Sequence, residues 1–211
     1  MRPADLRVKR AFDLTLALPL LAVAALPLLL VALAVRVVDG APVLFRQTRP
    51  GRDGRPFELL KLRTMRAGSE PDAARLTPLG GIVRALSLDE LPQLWNVLRG
   101  EMSLVGPRPL LPQYLARYTP RQARRHEVPP GITGLAQVEG RNALSWEERF
   151  ELDVWYVEQR SLGLDMRLLA RTLAAVFRRR GVSAAGHVTM PEFLGTGSPS
   201  DAARTFALRT E

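Results

Sequence analysis

The chain has 211 residues, enough to bury the core of one sizeable domain but short for two. It carries a formal charge of +9 at pH 7 and no cysteine, which excludes disulfides and thiolate metal sites. Its cations are mostly arginine, whose planar fork suits phosphate, so nucleic acid, anionic lipid and nucleotide-activated metabolites all remain as partner classes.

From Leu14 to Val35 no residue is charged and only Thr15 is polar. That is about 22 residues, or roughly 33 Å as a helix, against a hydrocarbon core of about 30 Å. A secretory signal peptide with Ala32-Leu33-Ala34 at its cleavage site is one alternative, but the run exceeds the usual apolar region of about 7–15 residues. A simple spanning helix is the other. Arg2, Arg7, Lys9 and Arg10 precede the segment, and Arg36, Arg46, Arg49, Arg52, Arg55 and Lys61 follow it. Positive charge tends to hold both ends in the cytoplasm, which requires the segment to turn back. Pro27 removes an amide donor past the middle and Pro19 adds a second weak point. Charge and proline alone leave a re-entrant helix-break-helix and a spanning helix equally supported.

Pro42 to Arg46 and Pro56 to Lys61 read as two short strands, with Asp53-Gly54 as the turn of a small hairpin. Residues 67–81 are rich in Gly, Pro and Ala and read as a surface loop leading to Asp89 and Glu90. These adjacent carboxylates open a helix whose residues Leu91, Leu94, Trp95 and Leu98 recur at helical spacing. At such a helix start, phosphate oxygens would meet free amides and the positive end of the helix dipole. A structural alternative exists, since Ser87 and Glu90 also fit a capping box. Downstream, Arg108 is fenced between Pro107 and Pro109.

Ser145-Trp146-Glu147-Glu148 is a second capping-box pattern, opening a helix to about Arg160. After Ser161 to Gly163 a further helix runs from about Asp165 to Arg180. It has Met166, Leu169, Leu173, Val176 and Phe177 on one side and Arg167, Arg171 and Arg178 away from it. Such a face suits a membrane surface or an ordinary core equally. Residues 195–211 read as a disordered tail. The fold class expected is α/β, mostly helical: a membrane segment over 1–40, then a cytoplasmic domain over 41–194 with a short β-hairpin and surface amphipathic helices. His126 and His187 are the only imidazoles, so any metal is expected to be a hard ion such as Mg2+ on carboxylates.

Ordered blocks along nearly the whole chain resemble the bacterial monotopic phosphoglycosyl transferases, also called bacterial sugar transferases or undecaprenyl-phosphate sugar phosphotransferases. They are Lys9-Arg10-Ala11-Phe12-Asp13, Pro42-Val43, Arg46-Gln47, Lys61-Leu62-Arg63-Thr64-Met65, the Asp89-Glu90 dyad and Gly106-Pro107-Arg108-Pro109. Pro130-Gly131-Ile132-Thr133-Gly134, Gln137-Val138, Gly140-Arg141-Asn142 and Ser145-Trp146 follow. The resemblance implies transfer of a sugar phosphate from a UDP-sugar to polyprenyl phosphate with release of UMP, at the cytoplasmic face of the bacterial inner membrane. It also implies a re-entrant membrane helix, although Leu26-Pro27 stands where the family often has Ser-Pro. Gly181-Val182-Ser183 and Gly186 to Phe193 look like the short members that begin protein glycosylation with an N-acetylated amino sugar. Members using UDP-glucose or UDP-galactose share most of the core.

By the same resemblance Asp89 is the nucleophile and Glu90 holds Mg2+. Arg108 and Arg141 would face phosphate oxygens, with Lys61 and Arg84 as further contacts, while Asp153 and Asp165 would hold arginines in place. The rival from another class is a basic membrane-surface binding module without catalysis. Nucleic acid is not expected, because the 3 Trp, 3 Tyr and 7 Phe form no basic-aromatic stretch and no nucleic-acid motif occurs. Membrane lipids are expected partners, and a homodimer is left open.

Overall fold

The computed structural model describes residues 3–68, 70–140, 144–177 and 192–196. Arg141, the Gly181-Val182-Ser183 block, His187 and residues 197–211 lie outside the described residues. The elements in order are α1 (Pro3–Val38), β1 (Leu44–Pro50), β2 (Pro56–Leu62), α2 (Asp72–Arg75), α3 (Pro78–Ala85) and α4 (Gln93–Arg99). There follow β3 (Ser103–Val105), α5 (Pro120–Ala123), β4 (Gly131–Thr133), α6 (Leu135–Glu139), α7 (Trp146–Gln159) and α8 (Leu162–Phe177).

Helix α1 contains the apolar segment and is helical without interruption through Pro19 and Pro27, so two helices separated by a break are not observed. A proline removes one hydrogen bond and bends a helix but need not end it where flanking residues keep helical dihedrals. Residues Leu6–Val38 form one stretch long and apolar enough to cross a membrane, and its most apolar window is only 11% buried. Both ends of α1 are nevertheless tied to the same protein body. Near the start, Lys9 bridges Asp13 and Asp165 at 2.8 Å each, Arg10 donates to the carbonyls of Val97 and Leu98 at the end of α4, and Asp13 accepts from the Leu104 amide. At the far end Val35 is fully buried, Thr77 donates to Asp39 at 3.1 Å, and Arg63 donates to the carbonyls of Asp39, Gly40 and Ala41.

Strands β1 and β2 form an antiparallel hairpin in which Phe45 pairs with Lys61 and Arg49 with Phe57. Its turn places Asp53 and Gly54 at positive φ, 55° and 72°, the conformation an Asp-Gly pair supplies. Helix α4 docks on this hairpin through Asn96, whose side chain accepts from the Leu60 amide and donates to the Glu58 carbonyl. It is wedged between the hairpin, α1 and β3, so burial extends beyond one stripe. Trp95, expected in the core, is 51% exposed, while Val97 is fully buried in its place.

The surface loop expected over 67–81 instead contains α2 and the start of α3. Thr77 caps α3 by accepting from the Gly80 amide, and Pro78 occupies the first turn where its missing donor is harmless. One of the glycines that argued against a helix serves packing. A Cβ on Gly80 would sit 2.0 Å from the Thr64 carbonyl oxygen, so the close approach of α3 to the chain after β2 requires glycine.

A second sheet, two-stranded and parallel, pairs Ser103 with Gly131 and Val105 with Thr133. The main core joins α1, β2, α4, β3, α7 and α8, while Leu110, Tyr114, Trp146, Phe150 and Phe193 form a separate aromatic cluster. The Ser145 capping box closes as expected, with Ser145 and Glu148 bonding reciprocally. On α8 the expected apolar face divides: Leu168 and Asp165 are buried, whereas Met166 and Leu173 are exposed. The buried stripe is rotated because Thr172 bonds Thr133 and Asp165 turns inward to Tyr156 and Lys9.

Candidate active site

Asp89 and Glu90 lie in a short 3-10 turn, Leu88–Glu90, and α4 begins only at Gln93. The dyad therefore precedes the helix and does not occupy its first turn. Ser87 adopts φ 56° and ψ 22°, a left-handed conformation uncommon for a residue with a Cβ, and its side chain caps nothing. The capping-box alternative for Glu90 is thus absent. Its carboxylate goes elsewhere: Oε1 accepts from Lys61 Nζ at 2.8 Å and from Arg108 Nη2 at 2.7 Å. Lys61 comes from β2 and Arg108 from the loop after β3, so tertiary packing brings three distant chain segments to one oxygen.

The Pro107-Arg108-Pro109 loop is rigid for identifiable reasons. The Gly106 amide donates to the Thr133 carbonyl at 2.9 Å and the Gly131 amide to the Pro107 carbonyl at 3.0 Å, extending the parallel sheet. A Cβ on Gly106 would approach the Pro129 carbonyl oxygen to 2.5 Å, so the two loops touch only because this residue is glycine. Arg125 Nη2 donates to the Arg108 carbonyl at 2.7 Å. Arg125 and Asp153 are each 2% exposed and form an ion pair at 2.7 Å. Removing one member of such a buried pair would strand the other charge, at a cost of about 3–5 kcal/mol. Asp153 is thus tied to an arginine that holds Arg108 in place. Among the described residues Asp165 pairs with no arginine; its partners are Lys9 and Tyr156, so it anchors α1.

The two carboxylates are treated in opposite ways. Burial alone would raise the pKa of Glu90, but the charges of Arg108 and Lys61, with their hydrogen bonds, outweigh it and hold Glu90 far below the usual carboxylate range. Asp89 is 8% exposed and its carboxylate makes no hydrogen bond or ion pair among the described residues. Burial raises its pKa, the charge of Lys61 opposes, Glu90 adds to the rise, and Arg84 and Arg108 oppose; the net shift is upward. Arg84 itself is steadied by donating Nε to Thr64 Oγ1 at 2.9 Å. Neighbouring acids whose environments drive their pKa values apart are the usual mark of divided chemical roles. Here one carboxylate is fixed as a permanent anion. The other is desolvated, has its pKa raised, and makes no hydrogen bond or ion pair among the described residues.

Magnesium would fit this donor set in one manner only. No group of three or more His, Cys, Asp or Glu among the described residues makes a protein cage. Mg2+, however, commonly takes one or two carboxylates and completes its shell with water and substrate phosphate. Glu90 is ionised and commits Oε1 to Lys61 and Arg108, while Oε2 has no partner among the described residues.

Sequence reasoning did not single out Arg125. It sits in the arginine-rich stretch Arg121 to Arg125, which reads as a solvated surface, and its partner Asp153 is 28 positions away. Only long-range pairing marks it.

The pattern of the family described as bacterial sugar transferase matches residues 4–179. The chain is 52% identical over 199 residues to the uncharacterized sugar transferase EpsL of Bacillus subtilis, covering 92% of this chain and 98% of that protein. It is 44% identical over 188 residues to the UDP-glucose:undecaprenyl-phosphate glucose-1-phosphate transferase of Caulobacter vibrioides, covering 82% of this chain and 70% of that protein. It is 41% identical over 197 residues to the UDP-galactose-lipid carrier transferase of Erwinia amylovora, covering 82% of this chain and 41% of that protein.

Proposed function

The chain belongs to the bacterial sugar transferase family, and from that premise we propose that it moves a sugar 1-phosphate from a UDP-sugar to polyprenyl phosphate through a covalent intermediate on Asp89. The observation that carries this reading is the opposed treatment of the dyad: Glu90 clamped by Lys61 and Arg108, Asp89 buried and unpaired. In the first step an Asp89 oxygen bonds to the sugar-bearing phosphorus, the bond from that phosphorus to the bridging oxygen breaks, and UMP departs with the electron pair. In the second, a phosphate oxygen of the lipid attacks the same phosphorus and the Asp89 carboxylate leaves. Splitting the transfer lets two bulky anions use the pocket in turn.

Lys61, Arg84 and Arg108 bring positive charge toward the phosphates, and Pro107, Pro109 and Arg125 hold Arg108 there. Arg141 is assigned to phosphate by family likeness alone. Glu90 is the residue that would hold Mg2+, which when bound would neutralise charge on the diphosphate. The donor we propose is a UDP-linked N-acetylated amino sugar, on the likeness of Gly181 to Phe193 to the short members. UDP-glucose and UDP-galactose are the second reading, favoured by the names of the relatives. Incubating the solubilised protein with each UDP-sugar, with and without polyprenyl phosphate, and measuring UMP tests both. Absence of UMP with every donor would overturn the transferase reading.

The protonation state of Asp89 gives a further expected result. A carboxylate nucleophile works only when ionised, so kcat/KM should be present above the raised pKa of Asp89 and fall as pH drops through it. That acid limb should lie above about 3.9, the ordinary aspartate value. Lys61→Met removes a charge that lowers the Asp89 pKa, so the limb should move to still higher pH. A limb that stays in place or moves down in this variant contradicts the assignment.

We also propose that α1 is re-entrant, with both ends at the cytoplasmic face of the inner membrane. Support comes from Lys9 to Asp13 at one end and Val35 to Asp39 at the other, both bound to the same polar body. A straight crossing would separate them by about 30 Å of hydrocarbon. The natural chain lacks cysteine, so Arg2→Cys and Gly54→Cys can be tested singly with an impermeant thiol reagent. Both should react only in inverted vesicles. Labelling of Arg2→Cys from the outer face would establish a spanning helix instead.

A further inference from the structure

Arg49 is a cation with no carboxylate partner among the described residues. Its Nη2 donates to Gln47 Oε1 at 2.5 Å, its Nη1 reaches the Pro109 carbonyl at 3.4 Å, and its Nε is buried with no partner. The other arginines that brace this loop are matched: Arg108 by Glu90 and Arg125 by Asp153. Among the described residues no carboxylate acts on Arg49, whose pKa is pulled down to about 10 first by burial and then by the charge of Arg108, with the Tyr114 and Tyr118 phenols opposing. It still carries its full charge at neutral pH. A half-buried guanidinium beside a second one, with no carboxylate between them, is an unfavourable arrangement unless an anion joins them.

The hairpin register gives the direction of that anion. Phe45 is the cross-strand partner of Lys61, and residues 45, 47 and 49 share its face because side chains alternate along a strand. Arg49 therefore stands on the same face as Lys61, roughly 13 Å further along at about 3.4 Å per residue. Arg108, between them in charge coupling, touches Glu90. The Lys61 end of the hairpin adjoins the exit from α1, where Arg63 binds the Asp39 and Gly40 carbonyls. The Arg49 end leads to the turn and away from the membrane helix.

We propose that Arg49 binds the nucleotide-side phosphate of the UDP-sugar, the group that departs as UMP, and so extends the anion path from Lys61 and Arg108 toward the cytoplasm. A lipid-anchored phosphate would have to arrive from the membrane end, whereas a soluble nucleotide can lie along the hairpin. This inference rests on the UDP-sugar reading above and adds a residue to it.

The probe is UMP itself, titrated calorimetrically into the full-length protein in detergent, with KM measured separately for UDP-sugar and polyprenyl phosphate. Hydrogen bonds between charged groups contribute about 1.5–3 kcal/mol, so Arg49→Met should weaken UMP binding and raise the UDP-sugar KM by about tenfold or more. The polyprenyl phosphate KM should stay unchanged, and Arg49→Lys should be intermediate because it keeps charge but loses the fork. The melting temperature of ligand-free Arg49→Met should change little, since relief of a half-buried charge with no ion pair offsets the lost hydrogen bonds to Gln47 and Pro109. Unchanged UMP affinity would overturn the assignment while leaving the transferase reading intact. A rise confined to the lipid KM would overturn the nucleotide-side placement. A marked fall in melting temperature with equal loss of both substrates would make Arg49 a strut for the Pro109 loop, which also overturns it. Wild-type protein that neither binds UMP nor consumes any UDP-sugar would overturn the underlying reading as well.

Discussion

Asp89→Asn should lower turnover by about a thousandfold or more, because a neutral amide cannot supply the carboxylate that attacks phosphorus. The effect should be separable from binding. With UDP-sugar alone the wild-type protein should release about one UMP per active site and retain a phosphosugar detectable by intact mass, since the first step needs no lipid. Asp89→Asn should show neither signal while still binding the nucleotide, because Lys61, Arg84 and Arg108 are unaltered. The fold should tolerate the change: Asp89 bonds to nothing among the described residues, and burying an amide costs less than burying a charge. Near-normal turnover in Asp89→Asn, or adduct mass on another residue, would remove the nucleophile assignment.

Chelation of divalent cations should abolish turnover, and added magnesium should restore it. The expectation follows from Glu90, an acid held ionised by two cations yet with Oε2 free of partners among the described residues. Glu90→Gln should raise the magnesium concentration needed for half-maximal rate and lower the rate at saturation by about a hundredfold, a loss of about 2.7 kcal/mol in the transition state. The amide oxygen can still accept from Lys61 and Arg108, so the fold should persist with a loss of about 1–3 kcal/mol for two weakened charged hydrogen bonds. Full turnover in excess chelator would overturn the metal role. A Glu90→Gln protein with unaltered magnesium response would assign Glu90 to organising Lys61 and Arg108 alone.

Much of the architecture was legible in the chain because its causes are local. The apolar run of α1, the Asp53-Gly54 turn and the Ser145 capping box each depend on neighbours within a few residues, and each is found. Local signals misled where packing overrode them. Gly80 and Gly81 read as loop, yet α3 forms there, and at Gly80 only glycine lets it approach Thr64. Trp95 read as core, but α4 is wedged on several sides and buries Val97 instead.

The same division holds for the site. Sequence determined that Asp89 and Glu90 adjoin, that Arg108 is fixed between prolines and that a segment long and apolar enough to cross a membrane precedes them, since adjacency and apolar length are properties of the chain itself. Which carboxylate is clamped and which is left free was decided only by the tertiary fold. Ser87 and Glu90 match a capping box on paper, and Lys61, 29 positions away, and Arg108, 18 positions away, take Glu90 out of it. The pairing of Arg125 with Asp153 and the solitary charge of Arg49 were decided in the same way. Burial and long-range Coulomb interaction set these roles, and neither has a period or a spacing that a sequence can display.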